Sequence, residues 1–205
     1  MAVLFANNNS LSAITALPSG VSGGAMTLLS TQTASSSATL SFTSGIDSTY
    51  NEYVFKCINI HLGTSTANND LKFNFSIDGG SNYNVTKTTS SFTAYNPEGG
   101  GTANLGYRAP GDQAQSTAFH DTSPEGTFGV ENDECATIIM HLFAPSSTTF
   151  VKHFMLQTQI YESGDYSESA FIAGYCNTTS AVDAVQFKPA SGNIDAGDIC
   201  LYGIN

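Results

Sequence analysis

The chain has 205 residues, of which 40% are hydrophobic, 11% aromatic and only 11% charged. Seventeen acidic against six basic side chains give a formal charge of −11, too few cations to neutralise a run of phosphates, which argues against direct DNA or RNA binding. No apolar stretch approaches the ~20 residues of a membrane helix, and the length suits one all-β domain.

Ser and Thr make up close to a quarter of the chain. With 13 Phe and 9 Tyr, this favours pleated sheets with polar, uncharged surfaces, because β-branched and aromatic side chains suit strands better than helices. The four cysteines, Cys57, Cys135, Cys176 and Cys200, are far apart, with no CxxC pair and no His at metal-ligand spacing. They read as free core thiols. The opening Met1-Ala2-Val3-Leu4-Phe5-Ala6-Asn7 lacks the charged start and apolar length of a signal peptide, so synthesis in a reducing cytoplasm is expected. No cofactor and no metal are expected.

From Met1 to about Ser36 the chain carries no charged side chain and is rich in Asn, Ser, Gly and Ala. Leu17-Pro18-Ser19-Gly20 and Ser22-Gly23-Gly24 break any regular element. Residues 1–24 therefore read as an extended arm that orders against a partner or a neighbouring subunit, a plain disordered tail being the alternative. Met26–Ser30 reads as a first strand.

Residues 37–205 read as the sandwich domain. Thr39–Phe42 alternates, and Tyr50–Leu62 is long and apolar enough for a central strand covered on both faces. Leu71, Phe73, Phe75 and Ile77 alternate with polar residues, and Asp78-Gly79-Gly80-Ser81 turns the chain into a returning strand over Tyr83–Tyr95. Asn96 to Gly129 is an irregular excursion with Pro97, Gly99-Gly100-Gly101, Pro110-Gly111 and Pro124, and it holds the only arginine, Arg108. Further strands are predicted over Cys135–Phe143, Thr148–Tyr161, Phe171–Cys176, Val182–Phe187 and Ile199–Ile204. Gly192-Asn193 reads as a turn closing a hairpin into the last of these. About ten strands at this spacing point to an all-β, antiparallel, jelly-roll-like sandwich.

Catalytic patterns are weak. His61, His141 and His153 lie in strand-like runs and read as satisfied sheet histidines, and no G-x-S-x-G elbow accompanies them. His120-Asp121 lies in the excursion but is a commonplace pair. Glu131, Asp133 and Glu134 offer oxygen ligands without the alternation of an EF-hand loop, so an exposed acidic turn is expected. Asp195 and Asp198 read the same way. We therefore expect no enzyme activity. Candidate partner-binding residues are Leu4, Phe5, Leu11, Ile14 and Leu17 on the arm, and Tyr95, Tyr107, Arg108, Phe119 and Phe128 in or beside the excursion. Aromatics exposed on loops suit receptor or glycan binding, although packing of the excursion explains them equally well.

The run Phe42-Thr43-Ser44-Gly45-Ile46-Asp47-Ser48-Thr49-Tyr50-Asn51-Glu52-Tyr53-Val54-Phe55 resembles the opening of a family of small virion proteins of tailed bacteriophages, of the type seen in phages of marine bacteria. Ser76–Ser81, Phe143–Phe150 and Phe187–Gly197, with the closing Leu201-Tyr202-Gly203, are similar to the same family in order and spacing. The resemblance covers residues from about 38 to the C-terminus. It implies a jelly-roll-like sandwich displayed on the virion and carries over no catalytic residue. The leading expectation is a capsid decoration (cement) protein that braces the major capsid protein, as a homo-oligomer, with a trimer favoured. A head, collar or tail fibre component that binds a host glycan is the alternative.

Overall fold

The computed structural model describes residues 25–66 and 68–204. The arm read over residues 1–24, with Leu4, Phe5, Leu11, Ile14 and Leu17, lies outside the described residues.

The chain folds as an antiparallel β-sandwich of two packed sheets, with no α-helix among the described residues. Its strands are β1 (Met26–Thr33), β2 (Leu40–Phe42), β3 (Glu52–Leu62), β4 (Leu71–Ser76), β5 (Lys87–Pro97), β6 (Asn104–Tyr107), β7 (His120–Asp121), β8 (Ala136–Phe143), β9 (Lys152–Glu162), β10 (Tyr166–Cys176), β11 (Ala184–Pro189) and β12 (Ile194–Ile204). Eight form one sheet in the order β1-β12-β3-β8-β9-β10-β5-β6, and four form the other in the order β2-β11-β4-β7. The chain crosses repeatedly between the sheets, the habit that makes the sandwich jelly-roll-like.

Two predicted hairpins are corrected by these crossings. The Gly79-Gly80 turn exists, with φ of 70° and 85°. However, β4 and β5 lie in different sheets, and β5 pairs with β10 and β6. Gly192-Asn193 likewise carries the chain from β11 in the small sheet to β12 in the large one. A glycine turn specifies a reversal of direction, whereas the partner of each strand depends on which apolar face it must bury.

The core lies between the sheets, where alternate side chains of both inner faces meet. Phe154 of β9 sits edge-on to Phe73 at 5.5 Å, with Phe75 at 5.2 Å. Phe55 lies 5.3 Å from Phe42 and 5.6 Å from Phe187. All of these rings are buried, and each contributes about 2–3 kcal/mol of apolar transfer. Edge-to-face contacts add to it.

A bulge in β3 is matched by irregular register in β12. Asn59 has φ of 51° and Gly197 φ of 111°. A Cβ on Gly197 would stand 2.5 Å from the Asn59 carbonyl oxygen, so glycine is required by both conformation and space.

The alternation in β4 implies a wet polar face, yet Asn74 and Ser76 are fully buried. The excursion reaches Asn74, and the Asp78–Gly80 turn folds onto Ser76. Asn74 donates to the carbonyls of Tyr83 at 2.7 Å and Thr117 at 3.0 Å. The excursion is less irregular than its sequence suggests, for it contains β6, a 3₁₀ turn over Ala109–Gly111, and β7.

Candidate interaction surface

One face of the eight-stranded sheet forms the core, and the other has no layer over it among the described residues. The register places its outward side chains in rows. One row runs Tyr107, Phe92, Phe171, Gln157, Ile139 and Lys56 across β6, β5, β10, β9, β8 and β3. The next holds Ser90, Ala173, Met155, His141, Val54, Tyr202 and Leu28.

Most large apolar side chains left exposed by the fold belong to this face: Met26, Leu28, Ile58, Phe92, Leu105, Tyr107, Ile139 and Met155. Only Ile77, Val130 and Phe150 of that class lie elsewhere among the described residues. Scattered exposed apolar groups are ordinary, but a contiguous band marks a contact surface. Phe92 is 45% exposed although it already stacks on Phe171, with ring centroids 4.9 Å apart and planes 11° apart. Phe92, Phe171, Ile139, His141, Met155 and Ala173 surround a shallow depression of about 370 Å³.

The band is also free of formal charge. Every Asp, Glu, Lys and Arg of β5, β8, β9 and β10 occupies an inward position: Lys87, Lys152, Glu162 and Glu168. Among strand residues, outward charges are confined to β3 and β12. There Glu52 accepts from His141 Nδ1 at 2.5 Å, the Lys56 ammonium lies 5.2 Å from the centre of the Tyr202 ring, and Asp198 accepts from Thr33 Oγ1 at 2.5 Å. At the β9/β10 end, the outward Tyr161 hydroxyl donates to the loop carboxylates of Glu98 at 2.5 Å and Asp165 at 3.1 Å. On a chain of net charge −11, the face that carries most of the exposed large apolar side chains is thus also without carboxylates at its centre.

The excursion is fastened beneath the sandwich by buried polar groups. Asp70 accepts from Thr122 Oγ1 at 3.0 Å and from the Ser123 N–H at 2.8 Å. Glu168 accepts from Ser123 Oγ at 2.5 Å, and Glu162 from the Thr127 N–H at 3.2 Å. Burial raises the carboxyl pKa of all three, with Asp121 adding to the effect on Asp70. Lys87, also buried, spends its three N–H donors on neutral oxygens: Asn74 Oδ1 at 2.6 Å, Ala118 O at 2.9 Å and Val85 O at 3.1 Å. Desolvation pulls its ammonium down to about 8. These groups hold the fold together and face no open cleft.

The predicted partner residues of the excursion do not converge. Tyr107, on β6, is 64% exposed on the open face. Tyr95 points the opposite way, edge-on to Tyr166 at 5.5 Å and beneath the Arg108 guanidinium at 5.7 Å. Arg108 is corrected to an internal clasp: its Nη1 pairs with Glu125 at 2.9 Å and its Nε donates to Thr93 Oγ1 at 2.6 Å. Phe119 lies on the small-sheet side, with the Lys188 ammonium 4.4 Å from its ring centre. Phe128 is corrected to a core residue, fully buried.

The remaining candidates are accounted for locally. His120 is buried; its Nδ1 faces the Asp121 carbonyl at 2.6 Å and must donate, so Nε2 of the neutral ring accepts from the Thr89 hydroxyl at 2.9 Å, whose oxygen also accepts the Gln113 N–H. Asp121 itself pairs with Lys72. Glu134 turns back to accept the Glu131 N–H at 2.7 Å. His61 meets Asp195 at 3.5 Å. Cys57, Cys176 and Cys200 are buried and Cys135 half-buried, all of them free thiols. Among the described residues no three His, Cys, Asp or Glu side chains are grouped to hold a metal ion, and no helix is long and apolar enough to cross a membrane.

Sequence reasoning missed Phe92, Ile139, Met155 and Phe171. The signal for three of them was present, since Ile138-Ile139, Phe154-Met155-Leu156 and Phe171-Ile172 place apolar groups on both parities of a strand. Such runs mean that both faces need cover. No protein-family model, no curated protein and no solved structure matches this chain.

Proposed function

We propose that this chain is a bacteriophage virion structural protein that decorates and braces the capsid shell, working by protein–protein contact rather than by catalysis. The observation that carries the reading is the open face of the eight-stranded sheet, an uncharged apolar band on an otherwise strongly acidic chain. Such a surface loses free energy by being covered with protein. The resemblance of Phe42–Phe55 and the later turn segments to small phage virion proteins supplies the setting.

In this reading the sandwich is a rigid, homo-oligomeric body and the arm of residues 1–24 attaches it to the major capsid protein. Several arms per oligomer act together, so that modest contacts give lasting attachment under the pressure of packaged DNA. Counting copies per particle by quantitative mass spectrometry, against the major capsid protein, tests the reading. Copies in the hundreds are expected; about a dozen would move the protein to a collar, tail or fibre and make receptor binding the better account. Deleting residues 2–24 should empty the particles of this protein while leaving the sandwich folded.

A further inference from the structure

We propose that the open face of the eight-stranded sheet packs against the same face of a second copy, making a face-to-face dimer about a twofold axis near β9. The proposal rests on the reading of this face as an assembly surface and names its occupant.

Charge is the first argument. Each copy carries −11, so two copies meeting through an average patch of surface bring carboxylate to carboxylate. Strands β8, β9, β10 and β5 carry no outward Asp, Glu, Lys or Arg. The carboxylates nearest to them are already engaged, Glu52 by His141 and Glu98 and Asp165 by the Tyr161 hydroxyl at the end of β9. The centre of the band therefore meets its own image without an unpaired buried charge. A cationic partner would find nothing at its centre to pair with.

Geometry is the second. A twofold contact must be self-complementary, and an apolar band is complementary to itself. The middle of the sheet lies at β8 and β9, where Ile139 and Met155 project, flanked by Phe171 and Phe92. An axis near β9 therefore stacks each copy's band on the other. Paired sheets lie ~10 Å apart, with side chains interdigitating.

Area is the third. The four strands of the band, at ~4.8 Å spacing, span ~19 Å, and the longer ones run ~36 Å. That is a flat area of ~700 Å² per copy, close to the ~800 Å² of a standard stable interface.

The test is the mass in solution of the full chain, by light scattering on a sizing column across the micromolar range. The wild type should have the mass of two chains. Met155→Asp places a carboxylate at the centre of each face and should weaken dimerisation about 100-fold or more. Gln157→Glu, an already polar and exposed position in the next row, should act in the same direction even if Met155→Asp folds poorly. Phe150→Asp, exposed but off this face, should leave the dimer intact, and so should deletion of residues 2–24.

A monomeric or trimeric wild type would overturn the proposal, as would a dimer indifferent to both face variants. Loss of the dimer on deleting residues 2–24 would also overturn it, pointing to the arm as the occupant. A monomer in solution whose Met155→Asp variant no longer occupies particles would sink the dimer and keep the virion role. A dimer absent from particles would do the reverse.

Discussion

Phe154 and Met155 are neighbours on β9, with side chains on opposite faces of one sheet. Phe154 is enclosed by Phe73 and Phe75 from the other layer, whereas Met155 is 56% exposed. The two residues are similarly apolar, so hydropathy does not distinguish their surroundings. The difference is that the four-stranded sheet and the excursion cover one face and nothing in the described chain covers the other. An apolar side chain on the inner face stabilises the monomer; one on the outer face is available to stabilise an assembly.

Substitutions should separate the two faces. Phe154→Ala removes the ring packed against both Phe73 and Phe75 and should cost about 4 kcal/mol of unfolding free energy, read from denaturant midpoints at low protein concentration. Lys87→Ala removes the bonds donated to Asn74 Oδ1, Val85 O and Ala118 O and loosens the excursion, at about 3 kcal/mol by the same measurement. Equal stability of this variant would mean that the excursion does not need its clasp. Gly197→Ala forces a Cβ against Asn59 at a positive φ and should cost about 2 kcal/mol.

A pH profile sharpens the comparison further, because buried carboxyls lie on the inner side of the sheet. Asp70, Glu162 and Glu168 have folded pKa values raised above their ordinary ones, so the folded state holds protons that the unfolded chain has released. Stability should therefore increase as pH falls from neutrality towards the ordinary carboxyl values of 3.8 and 4.5. Below that window Asp47 and Asp78, both depressed by hydrogen bonds to their charged forms, work in the opposite sense. Lys87, depressed to about 8, imposes its burial cost at lower pH and releases it above that value. Glu168→Gln should flatten the slope above the ordinary carboxyl value of 4.5; an unchanged slope would place the proton uptake elsewhere. The smallest effect belongs to the outer face, where Met155→Thr should shift monomer stability by less than about 0.5 kcal/mol.

Much of the fold was legible because alternation with period two is a local property. The strands at Leu71–Ser76, Ala136–Phe143 and Lys152–Glu162 follow from it, and their turns from glycine and proline chemistry. The interaction surface was less legible. Arg108 and Phe128 look like surface residues in a loop-rich stretch, yet the excursion folds under the sandwich and consumes both. Among the predicted residues that the structure describes, Tyr107 alone lies on the open face.

By itself, then, the sequence determined the strand class, the free thiols and the scarcity of cations, because composition and near-neighbour pattern settle each of these. Pairing of β5 with β10 rather than β4, burial of Lys87 and Asp70, and exposure of Phe92 beside Met155 were decided only by the tertiary structure. Each depends on which segments distant in sequence come to lie over a given face, and a pattern of alternating side chains specifies two faces without saying which one will be covered.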